Sequence, residues 1–495
     1  MSSSERIQTG VPGFDPVLGG GLIQGSLYLC KGAPGTGKTT IGLQFLLEGA
    51  RKGETCLYLG LSETRGQLDA LAKSFGWSLD GIEIHDMRRR GETAGEGRST
   101  YTVFSPSEVE LEEISREILE HVERVKPARL VLDSLSEIRL LAEDPFRYRR
   151  ELLLLSDRIS GRGCTGLLID VEAEGNQGVV AETLVSGVFI VEQLSPEYGG
   201  DRRRLRVRKL RASQSIGGYH DMVISDKGVR LYPRLIAAAH RALHSSAEVQ
   251  SGIAELDTLL GGGLDRGTST VLIGPAGAGK STIAAQFLAC AAARGEKGVI
   301  FCFDESPTNL LIRATGLGIP LQKHVDSGIV HVVAVDPAEL TPGELAHRVR
   351  EHVEDGDRLV VIDSINGFLS AMPEERFLTA HLHELLAYLS EKGTATLLTL
   401  AQHGFFGVTE APVNISFIAD TVLLFRYFEA AGEVRQALSV VKKRTGQHER
   451  TIRELRLTSE GVKVGEPILN FQGVLSGTPE FISPGLLGGA HEPAE

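Results

Sequence analysis

Two stretches carry the residue types that can hold a chain of phosphates. Gly32-Ala33-Pro34-Gly35-Thr36-Gly37-Lys38-Thr39 and Gly274-Pro275-Ala276-Gly277-Ala278-Gly279-Lys280-Ser281 both satisfy G-x-x-x-x-G-K-[ST]. The glycines let backbone N–H groups close around phosphate oxygens. The helix that each stretch opens, through Thr40 in one and Thr282 in the other, adds the partial positive charge of its N-terminus. Lys38 and Lys280 would set a cation on the β- and γ-phosphates, and Thr39 and Ser281 would offer a hydroxyl to Mg²⁺. Asp133 and Asp363 end the apolar runs RLVLD and RLVVID, and a carboxylate at a strand end beside such a loop can hold the water shell of the same Mg²⁺. The chemistry expected is therefore binding of Mg²⁺–ATP at two places.

The elements that position these groups come twice. LGGGLIQGSLYLCKGAPGTGKTTIGLQFL is echoed by LGGGLDRGTSTVLIGPAGAGKSTIAAQFL, and one offset of 242 residues carries Gly19 to Gly261, Lys38 to Lys280 and Glu63 to Glu305. The offset falls to 230 at Asp133 and Asp363, so the first copy is longer in between by a net 12 residues; the candidate for the extra length is the polar loop Arg88 to Thr100. Short β-branched runs alternate with segments of helical length, which implies βαβ units. The expected fold class is α/β, with two tandem P-loop NTPase lobes, each a mostly parallel doubly wound sheet. Lobe one spans 1–235, a linker 236–247, lobe two 248–475 and a loosely ordered tail 476–495.

Composition narrows the function classes. The 495 residues carry 52 Lys and Arg against 64 Asp and Glu, a net charge of −12, which argues against a nucleic-acid-coating surface. The basic stretches Arg88 to Arg90 and Asp201 to Arg211 are the local exceptions. The five Cys form no Cys-x-x-Cys pair, the His residues form no H-E-x-x-H or other metal-binding spacing, and no G-x-S-x-G nucleophile elbow is present. An odd number of Cys without a framework fits a reducing compartment. The N-terminus lacks an apolar signal core and no apolar run is long enough to span a bilayer, so the expected location is cytoplasmic, with no membrane partner.

At TGVPGFDPVLGGGLIQGSLYLCKGAPGTGKTTIGLQFL, SGIAELDTLLGGGLDRGTSTVLIGPAGAGKSTIAAQFL and TIRELRLTSEGVKV, the chain resembles the KaiC family of RecA-like ATPases. The resemblance covers almost the whole chain apart from the tail. It implies a fold of two tandem RecA-like P-loop NTPase lobes, a two-tiered homo-oligomeric ring, usually a hexamer, with ATP between neighbouring subunits, and partners such as a KaiB-like or other signalling protein. Family members carry adjacent acids after the strand that follows the first helix. Lobe two has Asp304 and Glu305 there, whereas lobe one has Ser62 and Glu63, so lobe one is expected to hydrolyse more slowly. Lys209 with Arg211, and Lys442 with Arg444, match a basic pair that in the family reaches a neighbour's γ-phosphate. The family's second lobe can also phosphorylate itself on a Ser-Thr pair. Ser416 falls on that Ser and Phe417 on that Thr, which leaves one candidate acceptor.

Three functions compete at this point. One is a ring ATPase with serine/threonine autokinase activity in lobe two, acting in signalling or timing. Another is a RecA-type DNA-dependent ATPase, which needs basic loops and a steep salt dependence. The last is a nucleotide-gated scaffold with little catalysis, to which Ser62, Phe417 and Asp304, an Asp in place of the family's Glu, lend weight.

Overall fold

The structure is a computed structural model that describes residues 5–87, 106–172, 177–196, 199–236, 248–370, 378–402, 419–430, 432–469, 471–474 and 480–481. The Arg88–Thr100 loop, most of the 236–247 stretch and the segment holding Ser416 and Phe417 lie outside them. The chain divides into two compact units, Met1–Arg234 and Leu235–Glu495.

In lobe one, β1 (Leu27–Gly32), β2 (Cys56–Gly60), β3 (Ile82–Asp86), β4 (Arg129–Asp133), β5 (Thr165–Val171) and β6 (Gly187–Leu194) run parallel. They stand in the order β3-β2-β4-β5-β1-β6, and three antiparallel strands, β7 (Arg202–Leu210), β8 (Tyr219–Ser225) and β9 (Gly228–Tyr232), extend the sheet beyond β6. Lobe two repeats this with β10 (Ser269–Gly274), β11 (Gly298–Cys302), β12 (Val330–Ala334), β13 (Leu359–Asp363), β14 (Ala395–Ala401), β15 (Thr421–Ala430), β16 (Glu433–Lys443), β17 (Arg453–Thr458) and β18 (Gly461–Pro467). Its order, β12-β11-β13-β14-β10-β15-β16-β17-β18, is the same. Each lobe is thus a RecA-like P-loop fold.

The helices used below are α1 (Lys38–Arg51), α2 (Arg65–Ser74), α3 (Pro106–Val125) and α4 (Gln177–Leu184) in lobe one, and α5 (Lys280–Ala293), α6 (Pro307–Gly316) and α7 (Pro342–Glu354) in lobe two. Helices cover both faces of each sheet, so the central strands read as unbroken apolar runs rather than alternating ones. The pleat still sorts them. Tyr28, Cys30, Tyr58 and Val131 join Phe45 of α1 in one core, while Leu29, Leu57, Leu59 and Leu132 join Ile118 of α3 in the other. Four of the five free cysteines are buried; burial pushes the thiols of Cys30, Cys164 and Cys302 up to about 12, so they pack rather than react.

The difference in length between the lobes is spread over two places. Ile82 and Val330 hold the same register position at an offset of 248, whereas Asp133 and Asp363 do so at 230. Lobe two therefore has extra chain before its edge strand, where the helix Leu321–Asp326 lies, and lobe one has more extra chain after it. Part of that second excess is α3 itself, 20 residues long against 13 for α7. Near the C-terminus, Glu480–Phe481 pairs with Phe471–Gln472, so the stretch expected to be loosely ordered contributes a short ladder.

Candidate nucleotide sites

In each lobe the phosphate loop leaves the carboxyl end of a central strand, β1 or β10, and opens α1 or α5. This is the crevice at which open α/β sheets bind ligands. Gly37 and Gly279, at φ 97° and 98°, precede the first helical residue in the left-handed region, where a side chain would be strained. Gly35 and Gly277 are left-handed as well. The first glycine has a different duty. A Cβ on Gly32 would lie 2.3 Å from the carbonyl oxygen of Val191 on β6, and one on Gly274 would lie 2.6 Å from that of Phe425 on β15.

Inside each loop the lysine is buried and tied to backbone. Lys38 Nζ donates to the carbonyls of Gly32 and Ala33 (2.8 and 2.7 Å), and Lys280 Nζ to those of Gly274 and Pro275 (2.9 and 2.7 Å). Burial lowers the pKa of both ammonium groups, that of Lys280 to about 8. Thr36 closes the first loop through a bond from its hydroxyl to Ala33 O, while Ala278 in the second is fully buried. Thr40 and Thr282 lie on the inner side of their helices, both buried.

Thr39 Oγ1 donates to Asp133 Oδ2 (2.7 Å) and Ser281 Oγ to Asp363 Oδ1 (3.0 Å). One strand separates each loop from its aspartate, β5 in lobe one and β14 in lobe two, yet the two side chains meet. A hydroxyl beside a carboxylate is a pair of hard oxygen donors, which suits Mg²⁺. Burial raises the pKa of both carboxyls, and the hydrogen bonds they accept pull it back. The second donor to each is one that sequence reasoning missed, and it differs between lobes: Tyr58 Oη from β2 to Asp133 (2.8 Å), and Thr399 Oγ1 from β14 to Asp363. A lone Tyr in the apolar run CLYLG was the available signal for the first; Thr399 in TLLTLA had none.

The acids after β2 and β11 are not helix caps. Thr64 caps α2 by accepting from Gln67 N (2.8 Å), and Ser306 caps α6 by accepting from Asn309 N (3.2 Å). Glu63 lines the cleft beside the first loop together with Lys38, Thr39 and the apolar Leu71, Phe75 and Ile224. Asp304 accepts from Ser364 Oγ, next to Asp363. Ser62 makes the equivalent contact with Ser134 (3.1 Å), so the substitution keeps the hydrogen bond and drops the charge. Glu305 is paired with Arg313 of α6 at 2.6 Å, and Arg313 Nη1 also donates to Thr282 Oγ1 (2.9 Å). Position 71 gives lobe one a Leu where lobe two has Arg313.

The basic pairs stand at the far end of each sheet from their own loop. Lys209 pairs with Val188, and Gly187 beside it pairs with Tyr28, near the start of β1; the phosphate loop leaves after Gly32. In lobe two Lys442 pairs with Val422 and Thr421 with Thr270, while the loop leaves after Gly274. Four strand residues at roughly 3.3 Å each set the pair about 13 Å back from the loop's root. Within each pair the two cations differ. Lys209 Nζ holds the carbonyls of Glu182 and Val185 (2.6 and 2.7 Å) at the C-terminus of α4, and Lys442 Nζ holds that of Ala419 (2.6 Å). Arg211 and Arg444 are exposed; Arg211 touches Thr183 O (3.3 Å) and Arg444 lies 3.5 Å from Asp420.

The basic strand β7 is occupied with its own neighbours. Arg204 pairs with Glu192 (2.8 Å) and lies over the Tyr219 ring, which Arg206 also approaches, and Arg208 faces Glu182 (3.4 Å). Among the described residues no helix is long and apolar enough to cross a membrane.

Comparison with known proteins agrees with this geometry. A family model described as "ATPase: KaiC" matches residues 7–236 and again 249–468. The circadian clock protein KaiC3 of Synechocystis sp. is 27% identical over 96% of this chain and 95% of its own length. The circadian clock oscillator proteins KaiC of Thermosynechococcus vestitus and Synechococcus elongatus are 27% and 26% identical, over 98% and 97% of this chain and 94% and 92% of theirs.

Proposed function

The chain belongs to the KaiC family of ATPases, and from that premise we propose that it is a ring ATPase whose sites are completed between copies, with serine autokinase activity in lobe two. As a member of the family it binds nucleotide and forms an oligomer of the kind the family forms. The finer reading concerns which residues act and where.

One observation carries it. Each exposed arginine, Arg211 or Arg444, sits at the end of the sheet opposite the phosphate loop of its own lobe, which supports a site completed by another copy. Thr39 with Asp133, and Ser281 with Asp363, would hold Mg²⁺, which would supply positive charge for the nucleotide's phosphates. The chain's own groups do the rest. The loop amides and the Lys ammonium orient the phosphates. Glu305, assisted by Asp304, accepts the proton of the attacking hydroxyl, and a neighbour's Arg444 stabilises the charge that spreads over the transferring group. Lys442, fixed on Ala419 O, positions that arginine's strand end. Lobe one keeps Glu63 without its acidic partner, so turnover concentrates in lobe two. A hexamer is the assembly proposed, with ATP at its interfaces.

With Phe417 beside it, Ser416 is the one acceptor proposed for the phosphoryl group. The names of the relatives support a timing or signalling role, with a KaiB-like or other protein as partner. The test is incubation of the full chain with Mg²⁺–ATP, followed by phosphate release and intact mass. One added phosphate, lost in Ser416→Ala and in Lys280→Ala, is expected. Two phosphates in that peptide, or one that survives Ser416→Ala, would reject the single-acceptor reading; turnover without any phosphate would leave an ATPase and reject the kinase.

A further inference from the structure

Lobe two carries a cluster that the nucleotide chemistry does not use. His331 on β12, His352 in the last turn of α7 and Asp357 in the loop before β13 come together, and a ring nitrogen of each His and a carboxylate oxygen of Asp357 all lie within 4.8 Å of one another. Asp357 Oδ2 stands 3.1 Å from His331 Nδ1 and 2.9 Å from His352 Nδ1. The carboxylate is 1% exposed, while the two rings are 38% and 25% exposed, so the cluster is anchored inside and open outside. Asp357 Oδ1 is buried and has no hydrogen-bond partner among the described residues.

We propose that His331, His352 and Asp357 form a site for a transition-metal ion of the Zn²⁺ class, with water as the fourth ligand. Two imidazoles and a carboxylate are borderline donors that suit Zn²⁺ and leave one position open. A tetrahedral ion with bonds of about 2.0–2.2 Å separates neighbouring ligands by about 3.3 Å. The two nitrogen–oxygen distances already lie within a few tenths of an ångström of that. Glu351, Glu354, Asp355 and Arg348 line the adjoining cleft; Glu354 is paired with Arg350 (3.6 Å), and the Arg358 guanidinium lies on Val353 O and Asp357 O (3.2 and 3.4 Å).

The shared fold does not require this trio. By strand register Glu83 takes the place of His331 in lobe one, and Pro127 that of Asp357, each two residues before the first paired residue of its strand. There the Arg124 guanidinium, itself a cation, links Glu83 (3.1 Å) to His121 (2.8 Å). In lobe two the site joins an edge strand to the helix beside it, at the amino end of the parallel strands. The phosphate loop lies at their carboxyl end, four strands away. The ion would clip that edge in place and take no part in phosphoryl transfer. The 14 His residues gave no zinc spacing in the sequence because the ligands come from three elements.

The test uses the full chain without a metal-binding tag, with Mg²⁺ and a non-hydrolysable ATP analogue saturating both phosphate loops. Titration with Zn²⁺ should load one ion per chain and raise the thermal midpoint, and Co²⁺ in its place should give the intense visible bands of a tetrahedral site. His331→Gln and Asp357→Asn should each weaken Zn²⁺ binding about tenfold or more. His331→Gln, at a half-exposed strand-edge position, should keep the circular dichroism and the Zn²⁺-free ATP turnover of the wild type. No Zn²⁺ uptake by the wild type, uptake unchanged in His331→Gln, or the weak spectrum of octahedral Co²⁺ would each overturn the proposal.

Discussion

Arg313 sets the terms on which Glu305 can act. Both oxygens of Glu305 accept from its guanidinium, at 2.6 and 3.3 Å, so the pair has to part before that carboxylate can take a proton from an attacking hydroxyl. The side chains are 30% and 29% exposed, and a pair of that kind is worth up to about 1 kcal/mol. Arg313→Leu, which installs the residue that lobe one has at Leu71, is therefore expected to raise lobe-two turnover by up to about fivefold. The assay is steady-state phosphate release in a Lys38→Ala background; a fall in turnover would instead make Arg313 part of the machinery. Lys280 governs the pH dependence. Its ammonium pKa is lowered by burial to about 8, so above that pH the free loop has lost the charge that the phosphates need. Nucleotide binding must then take up a proton. Lobe-two affinity should be flat below about pH 8 and fall by up to about tenfold per unit above it. Folding responds with the opposite sign: the unfolded chain holds that proton up to about 10.5, so the cost of burying the charge fades as pH rises from about 8. A nucleotide Kd measured in the Lys38→Ala chain from about pH 7 to 9.5 checks the binding half, and a flat profile would contradict it.

At the scale of elements, the first glycine of each phosphate loop answers to the sheet more than to the ligand. Gly32 ends β1 facing Val191 O of β6, and an added Cβ would meet that oxygen at 2.3 Å and Thr36 Oγ1 at 3.0 Å. The nearest obstacle is backbone, which cannot swing aside. Gly32→Ala should cost about 1–3 kcal/mol of lobe-one stability even without nucleotide. Urea unfolding of the nucleotide-free protein measures this; an unchanged midpoint with lost binding would return the glycine to a ligand role. The motif, the strand–helix alternation and the repeat were all legible in the sequence because each is local: a phosphate loop is eight consecutive residues, and the offset of 242 needs no folding to be seen. What stayed hidden depends on registry between elements distant in the chain. Tyr58 and Thr399 both serve a strand-end aspartate but come from strands on opposite sides of it, so no alignment of the two lobes pairs them. His331 meets His352 across a strand–helix contact; Arg313 is only eight residues from Glu305, but it reaches back past the first two turns of a helix whose apolar spacing gave no hint of the pair. The Arg88–Thr100 loop explained only part of the length difference, because an added helix in lobe two offsets a longer α3 in lobe one.

At the scale of the whole molecule, the decisive question is whether a site borrows its arginine. The sheet geometry separates Arg444 from the phosphate loop of its own lobe, so two kinds of defective chain should repair each other. Lys280→Ala has a loop that cannot hold the phosphates but a sound Arg444. Arg444→Ala has a sound loop but no arginine to lend. Each alone should lose lobe-two turnover, the second by orders of magnitude in rate, as removal of a phosphoryl-stabilising arginine does. In a ring where every site lies between two like copies, random mixing in equal amounts places a sound loop against a sound arginine at about a quarter of the sites. The mixture should therefore recover about a quarter of wild-type lobe-two turnover once the chains exchange, measured in a Lys38→Ala background so that lobe one is silent. Recovery should also require ATP, because nucleotide bound between copies stabilises the assembled state by mass action. Sedimentation with and without Mg²⁺–ATP supplies that second readout. Activity that stays at the level of the two separate variants, in chains shown to have exchanged, would mean that Arg444 serves its own subunit and that the ring reading of these sites is wrong.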